Sequence, residues 1–279
     1  MTPQPEQTTP GRRPPPMVTE MARFALEMAI PLAWHDAMKP FPKKVTVASC
    51  FAMKFRERLI GVTAAHVLRE YQADRRQNPE VKCQLSSLPF DLEEAVIDHD
   101  DDLDLATFAL SEAQLGAIKR GAFGCQEIWP PPTPERQIQV SLAGYPNYLF
   151  ATDAEGGVLP KAVYAAVTLV EDITDGEIIL TYDPATARAD PDIPMPPLGA
   201  NLSGCSGGPL ILTVCIDGAR LHAFPVGVIV AGPKKECSQG EFANFDVIRA
   251  RRTYFIRPDG MIKRPGLAPF SGSIASGLP

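Results

Sequence analysis

The sequence predicts an all-β protein built as barrels or a sandwich, with a short helix near its N-terminus. Three observations carry that expectation. From Pro42 to about residue 250, short β-rich runs recur at close spacing, separated by Gly- and Pro-containing turns. The 29 prolines, roughly twice the usual share, cluster in the N-terminal tail, in Pro130 to Pro134 and in Pro184 to Pro197, so they mark loops and linkers. A helical period shows near the N-terminus, where Met21, Phe24, Ala25 and Met28 follow i, i+3, i+4, i+7 spacing.

Taken in order, residues 1–16 hold six prolines with Thr, Gln and Arg and are expected to be disordered. Residues 17–39 form the N-terminal helix and a connector; Thr19 is the expected N-cap and Pro31 the stop signal, and the helix packs across the outside of the main domain. Val45 to Met53 and Leu59 to Thr63 read as a hairpin around the charged turn Lys54 to Arg58. Val67 to Arg76 reads as helical turns. Val81 to Leu85, Ala95 to Asp98 and Leu105 to Leu110 read as strands, and Ser111 to Gly121 as a helical turn. Beyond the linker at Pro130 to Pro134, strands are expected at Gln137 to Gly144, Ala162 to Glu171, Glu177 to Tyr182, Leu210 to Ile216, Ala223 to Ala231 and Phe242 to Ile248. No internal repeat is evident.

Composition excludes several classes. A net charge of −6 and a pI near 5.3 argue against a nucleic-acid binder, which needs a basic surface. No run approaches the roughly 18 apolar residues of a membrane span. Near the N-terminus, Pro and Gln stand where a signal peptide carries a basic region and an apolar core, so a cytoplasmic protein is expected. The six cysteines (Cys50, Cys83, Cys125, Cys205, Cys215, Cys237) include no CxxC pair, so reduced thiols are expected, with no metal and no cofactor.

The stretch Asn201 to Leu210, N-L-S-G-C-S-G-G-P-L, sets Ser206 between glycines in a tight turn. Glycines there permit positive φ and close substrate approach. The N–H groups of Gly204 and Ser206 can point into one small space and hold a developing oxyanion. A hydroxyl is a poor nucleophile without a base and a group to orient that base. His66, at the end of a β-rich run in G-V-T-A-A-H-V-L, is the candidate base. His35, His99 and His222 read as structural. In the acidic stretch Asp98 to Leu110, Asp104 opens an apolar strand and is the acid best placed for partial burial; Asp102, on the same face, is the other candidate. Asp98, Asp100 and Asp101 read as a solvated turn. A calcium loop is disfavoured, because the glycine and terminal glutamate of an EF-hand are missing.

Together, T-A-A-H-V, D-L-A-x-F-x-L and G-C-S-G-G-P-L, in the order His, Asp, Ser, resemble the trypsin/chymotrypsin-like serine proteases, the bacterial trypsin-like peptidase branch above all. The resemblance covers about residues 40 to 256. It implies two six-stranded antiparallel β-barrels of the chymotrypsin type: a first at 40–115 carrying His66 and Asp104, a linker at 116–136, a second at 137–256 carrying Ser206, and a tail at 257–279. It also implies a serine endopeptidase in which Ser206 attacks, His66 shuttles the proton, Asp104 orients His66 and Gly204 with Ser206 forms the oxyanion hole. Ala200 falls at the base of the specificity pocket, where trypsin carries an aspartate, so a small or apolar side chain is favoured over Lys or Arg. Gly227, Val228 and Ile229, followed by Val230, form one wall of that pocket and pair with substrate backbone. The implied partner is a protein or peptide substrate, with neither nucleic acid nor membrane.

Two departures from the family are visible. Cys205 stands where the animal enzymes carry the aspartate that captures a freed N-terminus, and Val67 stands where secreted members carry a cysteine after the histidine. Both agree with a reduced, intracellular protein. An α/β-hydrolase elbow is disfavoured because Pro209 and a β-branched run follow Ser206. Cys205 reads as a small buried thiol rather than a nucleophile. Two alternatives stay open: a non-catalytic relative acting as a binding module, and an effector inactive at rest until a partner orders loops such as the Pro-rich segment Asp183 to Pro197.

Overall fold

The computed structural model describes residues 16–36, 45–125, 127–147, 150–152, 158–160, 163–182, 202–216, 220–231 and 246–265. The Pro-rich N-terminal tail, Ala200 and the segment 183–197 lie outside them.

The first half runs α1 (Pro16–Met28), β1 (Ala29–Asp36), β2 (Val45–Phe55), β3 (Arg58–Thr63), α2 (Ala65–Gln77), β4 (Val81–Leu85), β5 (Leu88–Pro89), α3 (Leu92–Ala95), β6 (Val96–Asp100), β7 (Leu105–Leu110), α4 (Glu112–Ile118) and β8 (Phe123–Gly124). Its strands form one eight-stranded sheet in the order β5-β4-β1-β2-β3-β7-β6, with β8 added in parallel to β2. The second half holds β9 (Gln139–Gly144), the small pair β10 (Phe150–Thr152) and β11 (Val158–Pro160), β12 (Tyr164–Ile173), β13 (Glu177–Tyr182), β14 (Pro209–Ile216), β15 (Arg220–Ala231) and β16 (Asp246–Arg252). Six of these close into an antiparallel barrel in the order β12-β13-β16-β15-β14-β9.

The chain is mostly β rather than all-β, with four α-helices among the described residues; the expected N-terminal helix is present, and the second half is a closed six-stranded barrel. The first half differs from the expected six-stranded barrel. Among the described residues it is an eight-stranded sheet with β5 and β6 at its ends, and it draws on β1 and β8 from outside 40–115. β1 is the strand the sequence pattern conceals. Pro31 reads as a break, yet it lies opposite Ser49 in the ladder, and its carbonyl accepts the Ser86 N–H. Ile30, Leu32 and Trp34 enter one core while Ala29 and Ala33 enter another. A strand buried on both faces shows no polar–apolar alternation. α1 begins at Pro16 rather than beyond Thr19, because proline's fixed φ suits a first helical turn. The helix lies against β9, β12 and β14 of the barrel, with Met21, Ala22, Ala25 and Met28 buried.

β2 is also buried on both faces, and this joins the halves. Val47, Phe51 and Met53 share a core with Tyr145, Ile211 and Val228 of the barrel half, whereas Ala48, Cys50 and Ala52 face Trp34, Tyr71 and Phe108. After β16 a 3-10 turn, Thr253–Phe255, sends the chain back across the first sheet. There Thr107 Oγ1 donates to the Gly260 carbonyl at 2.6 Å, Arg58 to Asp259 O at 2.7 Å and Trp129 Nε1 to Ile256 O at 3.0 Å. Residues 257–265, expected as the start of a tail, are packed against β6 and β7.

Candidate active site

His66 is the second residue of α2, a helix whose N-cap position, Ala64, supplies no side-chain cap. The missing cap comes from another hairpin. Asp104 Oδ1 accepts the His66 backbone N–H at 2.8 Å, and Asp104 Oδ2 lies 2.8 Å from His66 Nδ1. A carboxylate is well placed there, because helix-terminal N–H groups are unpaired and favour negative charge. Asp104 ends the turn joining β6 to β7 with φ at 51°, a left-handed conformation that aspartate tolerates better than most residues. The two side chains are 32% and 21% exposed, so the pair is shielded but reachable. Burial works against the Asp104 charge, yet the His66 ring, the His66 N–H and Arg69 together outweigh it and hold the carboxyl below the usual carboxylate range. An ionised carboxylate only accepts hydrogen bonds, so Nδ1 carries the ring proton and Nε2 of the neutral ring is left as the acceptor. Asp102, the other candidate, is exposed in the turn.

The serine turn is held from both halves. Gly204 has φ at 99°, and a Cβ there would lie 2.4 Å from Tyr145 O; Gly207 has φ at 87°, and a Cβ there would lie 2.0 Å from Ser49 O and 2.2 Å from Thr63 Oγ1. Only glycine fits either position. The second contact also locates the turn, since it rests on the end of β3, three residues before His66. The carbonyls of Ser203, Gly204, Cys205 and Ser206 accept from Asn147 N, Ser49 Oγ, Gly208 N and Ser49 N at 2.8, 2.7, 2.9 and 2.9 Å. Cys205 N and Gly207 N donate to Leu202 O and Ile229 O at 3.0 and 2.7 Å. The N–H groups of Gly204 and Ser206 are not donors in this network.

His66 and Asp104 are thus joined directly, while Ser206 is joined to their sheet through Ser49 and Thr63. No hydrogen bond links Ser206 to His66 among the described residues. Gly227, Val228 and Ile229 do not offer the free edge expected of them. Gly227 and Val228 are in register with β14 on one side and β16 on the other, and Ile229 uses its N–H and carbonyl on Gly208 and Gly207. β14 begins at Pro209, opposite Val228, so the edge freed beside the serine turn starts at Val230.

Ser49 is a site residue that motif reading misses. It is fully buried, its hydroxyl donates to Gly204 O and accepts from Tyr145 N at 2.9 Å, and its N–H holds the Ser206 carbonyl. The one local signal was a lone serine in the apolar end of V-T-V-A-S-C-F-A. The acidic stretch also departs from expectation, since Asp98 and Asp100 are only 11% and 12% exposed and both pair with Arg264, while Asp101 pairs with Arg69. Cys205 is buried, and burial pushes its thiol up to about 12, away from nucleophilic use. Among the described residues, no group of three His, Cys, Asp or Glu side chains could hold a metal ion.

No protein-family model matches the chain, and neither does any curated protein. Among solved structures, the chain is similar to the active form of the Rv3671c protease from M. tuberculosis at 16% identity, over 90% of this chain and 89% of that one, with a TM-score of 0.41. It is also similar to a structure from work on aromatic interactions in the coupled folding and binding of the intrinsically disordered Sesbania mosaic virus VPg protein. There the identity is 12%, over 82% and 87% of the two chains, with a TM-score of 0.43.

Proposed function

We propose that the protein is a serine endopeptidase of the trypsin-like kind, acting through Ser206, His66 and Asp104. The observation that carries this reading is the two-point grip of Asp104 on His66, which commits Nδ1 as a donor and leaves Nε2 basic. Ser206 Oγ attacks the peptide carbonyl carbon as its proton passes to His66 Nε2. The oxyanion is held by the N–H groups of Gly204 and Ser206, which the turn's own network leaves over. Nε2–H then protonates the leaving amine, the C–N bond breaks, and water releases the acyl group from Ser206 by the same route. Substrate backbone lies along Val230 and Ala231, on the side of β15 that β14 leaves unpaired.

The resemblance to the bacterial trypsin-like peptidases extends this reading to a cytoplasmic enzyme with a protein or peptide substrate. Ala200 at the pocket base favours small or apolar side chains at the cleaved bond; a peptide library in which Lys or Arg dominated would refute that preference. Labelling by a fluorophosphonate serine-hydrolase probe tests the core of the proposal. Labelling of the intact protein is expected, with loss in Ser206→Ala and His66→Ala. An intact protein that stays unlabelled would overturn the reading of an assembled hydrolase and turn attention to a binding module or a partner-gated effector.

A further inference from the structure

We propose that Arg264, from the C-terminal segment, is a positioning residue that sets Asp104 against His66. The inference rests on the reading of that pair as catalytic machinery. Arg264 Nε lies 3.0 Å from Asp100 Oδ2, while Asp100 Oδ1 accepts the N–H of Leu103, the residue before Asp104, at 2.8 Å. The other two guanidinium nitrogens fork onto Asp98 at 2.8 and 3.1 Å, and one also donates to His99 O at 2.8 Å. One side chain therefore grips the last three residues of β6, where the chain enters the turn that ends in Asp104.

The grip is built in depth. Ile262 N donates to Asp98 Oδ2 at 2.8 Å, and Thr107 on the facing strand β7 bonds Gly260 O, so the segment is tied to both strands flanking the turn. Gly260 has φ at 88°, a left-handed conformation that favours glycine, and a Cβ there would press on the Ile97 side chain at 2.9 Å. Although burial opposes its ionisation, Asp98 is held below the usual carboxylate range by Arg264 and the Ile262 and His99 N–H groups. On the helix side, besides the His66–Asp104 pair itself, Arg69 ties the turn through Asp101 at 2.8 Å.

Without Arg264, Asp98 and Asp100 point from the same face of β6 with little solvent and no counter-charge. They relax by protonating or swinging outward, and the Asp100 hold on Leu103 N–H weakens. The left-handed Asp104 that follows depends on its surroundings to stay in place. A guanidinium suits the role because it bridges two carboxylates and a carbonyl at fixed angles, which an ammonium cannot do.

The test is proton NMR of the His66 Nδ1–H, assigned by its loss in His66→Ala, together with fluorophosphonate labelling, peptide hydrolysis and thermal melting of the full chain. In Arg264→Ala the low-field signal broadens or disappears, and kcat falls about ten- to a hundredfold with KM little changed, as expected for a misplaced catalytic group. Arg264→Lys recovers both only in part. A folded Arg264→Ala with wild-type signal and labelling rate would overturn the proposal. Should that variant not fold, Asp100→Asn decides: a weakened signal supports the link, and an unchanged one overturns it. A signal that depends on Arg264 in a protein that never labels would leave the link standing and remove the hydrolase reading instead.

Discussion

Replacing Ser49 by alanine deletes one hydroxyl and strands two buried backbone groups. Ser49 has no solvent exposure, and its Oγ donates to Gly204 O at 2.7 Å while accepting from Tyr145 N at 2.9 Å. Each buried group left without a partner costs about 1–3 kcal/mol, so with partial relaxation of the Gly204 carbonyl the variant loses about 2–4 kcal/mol of stability. The functional loss is separate. The Gly204–Cys205 peptide is pinned at its carbonyl by Ser49 and at its N–H by Leu202 O, so losing the first pin lets the plane between the two oxyanion donors turn. Loss of one well-aimed donor costs about 10²–10³-fold, so the fluorophosphonate labelling rate should fall about a hundredfold. Urea unfolding gives the first quantity and labelling kinetics the second. Ser111→Ala is the control: it removes the capping-box serine of α4, costs about 1 kcal/mol and leaves labelling unchanged. A Ser49→Ala protein within about 0.5 kcal/mol of wild type, the range of an ordinary surface change, and labelling at the wild-type rate would refute this account.

Three further outcomes follow from the same geometry. Asp104→Asn can present an N–H to Nδ1 and so favours the wrong His66 tautomer; kcat for peptide hydrolysis should drop by about 10⁴-fold, and a drop under tenfold would count against the assigned roles. Because the folded-state carboxyl of Asp104 sits below its usual range, its stabilisation is present above the unfolded value near pH 4 and is lost as pH falls through the lower, folded value. The acid limb of stability, followed by urea midpoints below pH 4, should therefore be shallower in Asp104→Asn than in the wild type. Cys205, with its thiol pushed up to about 12 by burial, should resist iodoacetamide in the native protein at pH 8 and react only on unfolding, which mass spectrometry of the labelled peptide reads directly.

Local pattern was enough for elements whose physics is local. The runs at Val81–Leu85, Leu105–Leu110 and Glu177–Tyr182 are strands with the boundaries their β-rich composition indicates, and the hairpin of β2 and β3 follows from two such runs around a charged turn. The two left-handed glycines of the serine turn were legible too, because G-C-S-G-G-P admits few other conformations. Asp104 stood out as the acid opening an apolar strand. β1 was not legible, since its residues serve cores on both faces and Pro31 mimics a break; whether the first sheet closes depends on strand pairing, which no single run encodes. The wall at Gly227 to Ile229 was assigned to the substrate although the barrel's neighbouring strands and the serine turn already occupy it. Tertiary structure alone decided which polar groups meet across long separations. Ser49 and Gly204 are 155 residues apart, and Arg264 and Asp98 are 166 apart. A serine in a strand, or an arginine near a chain end, carries no local mark of such a partner, because a hydrogen bond depends on a few ångströms of placement that only the packed sheet and barrel supply.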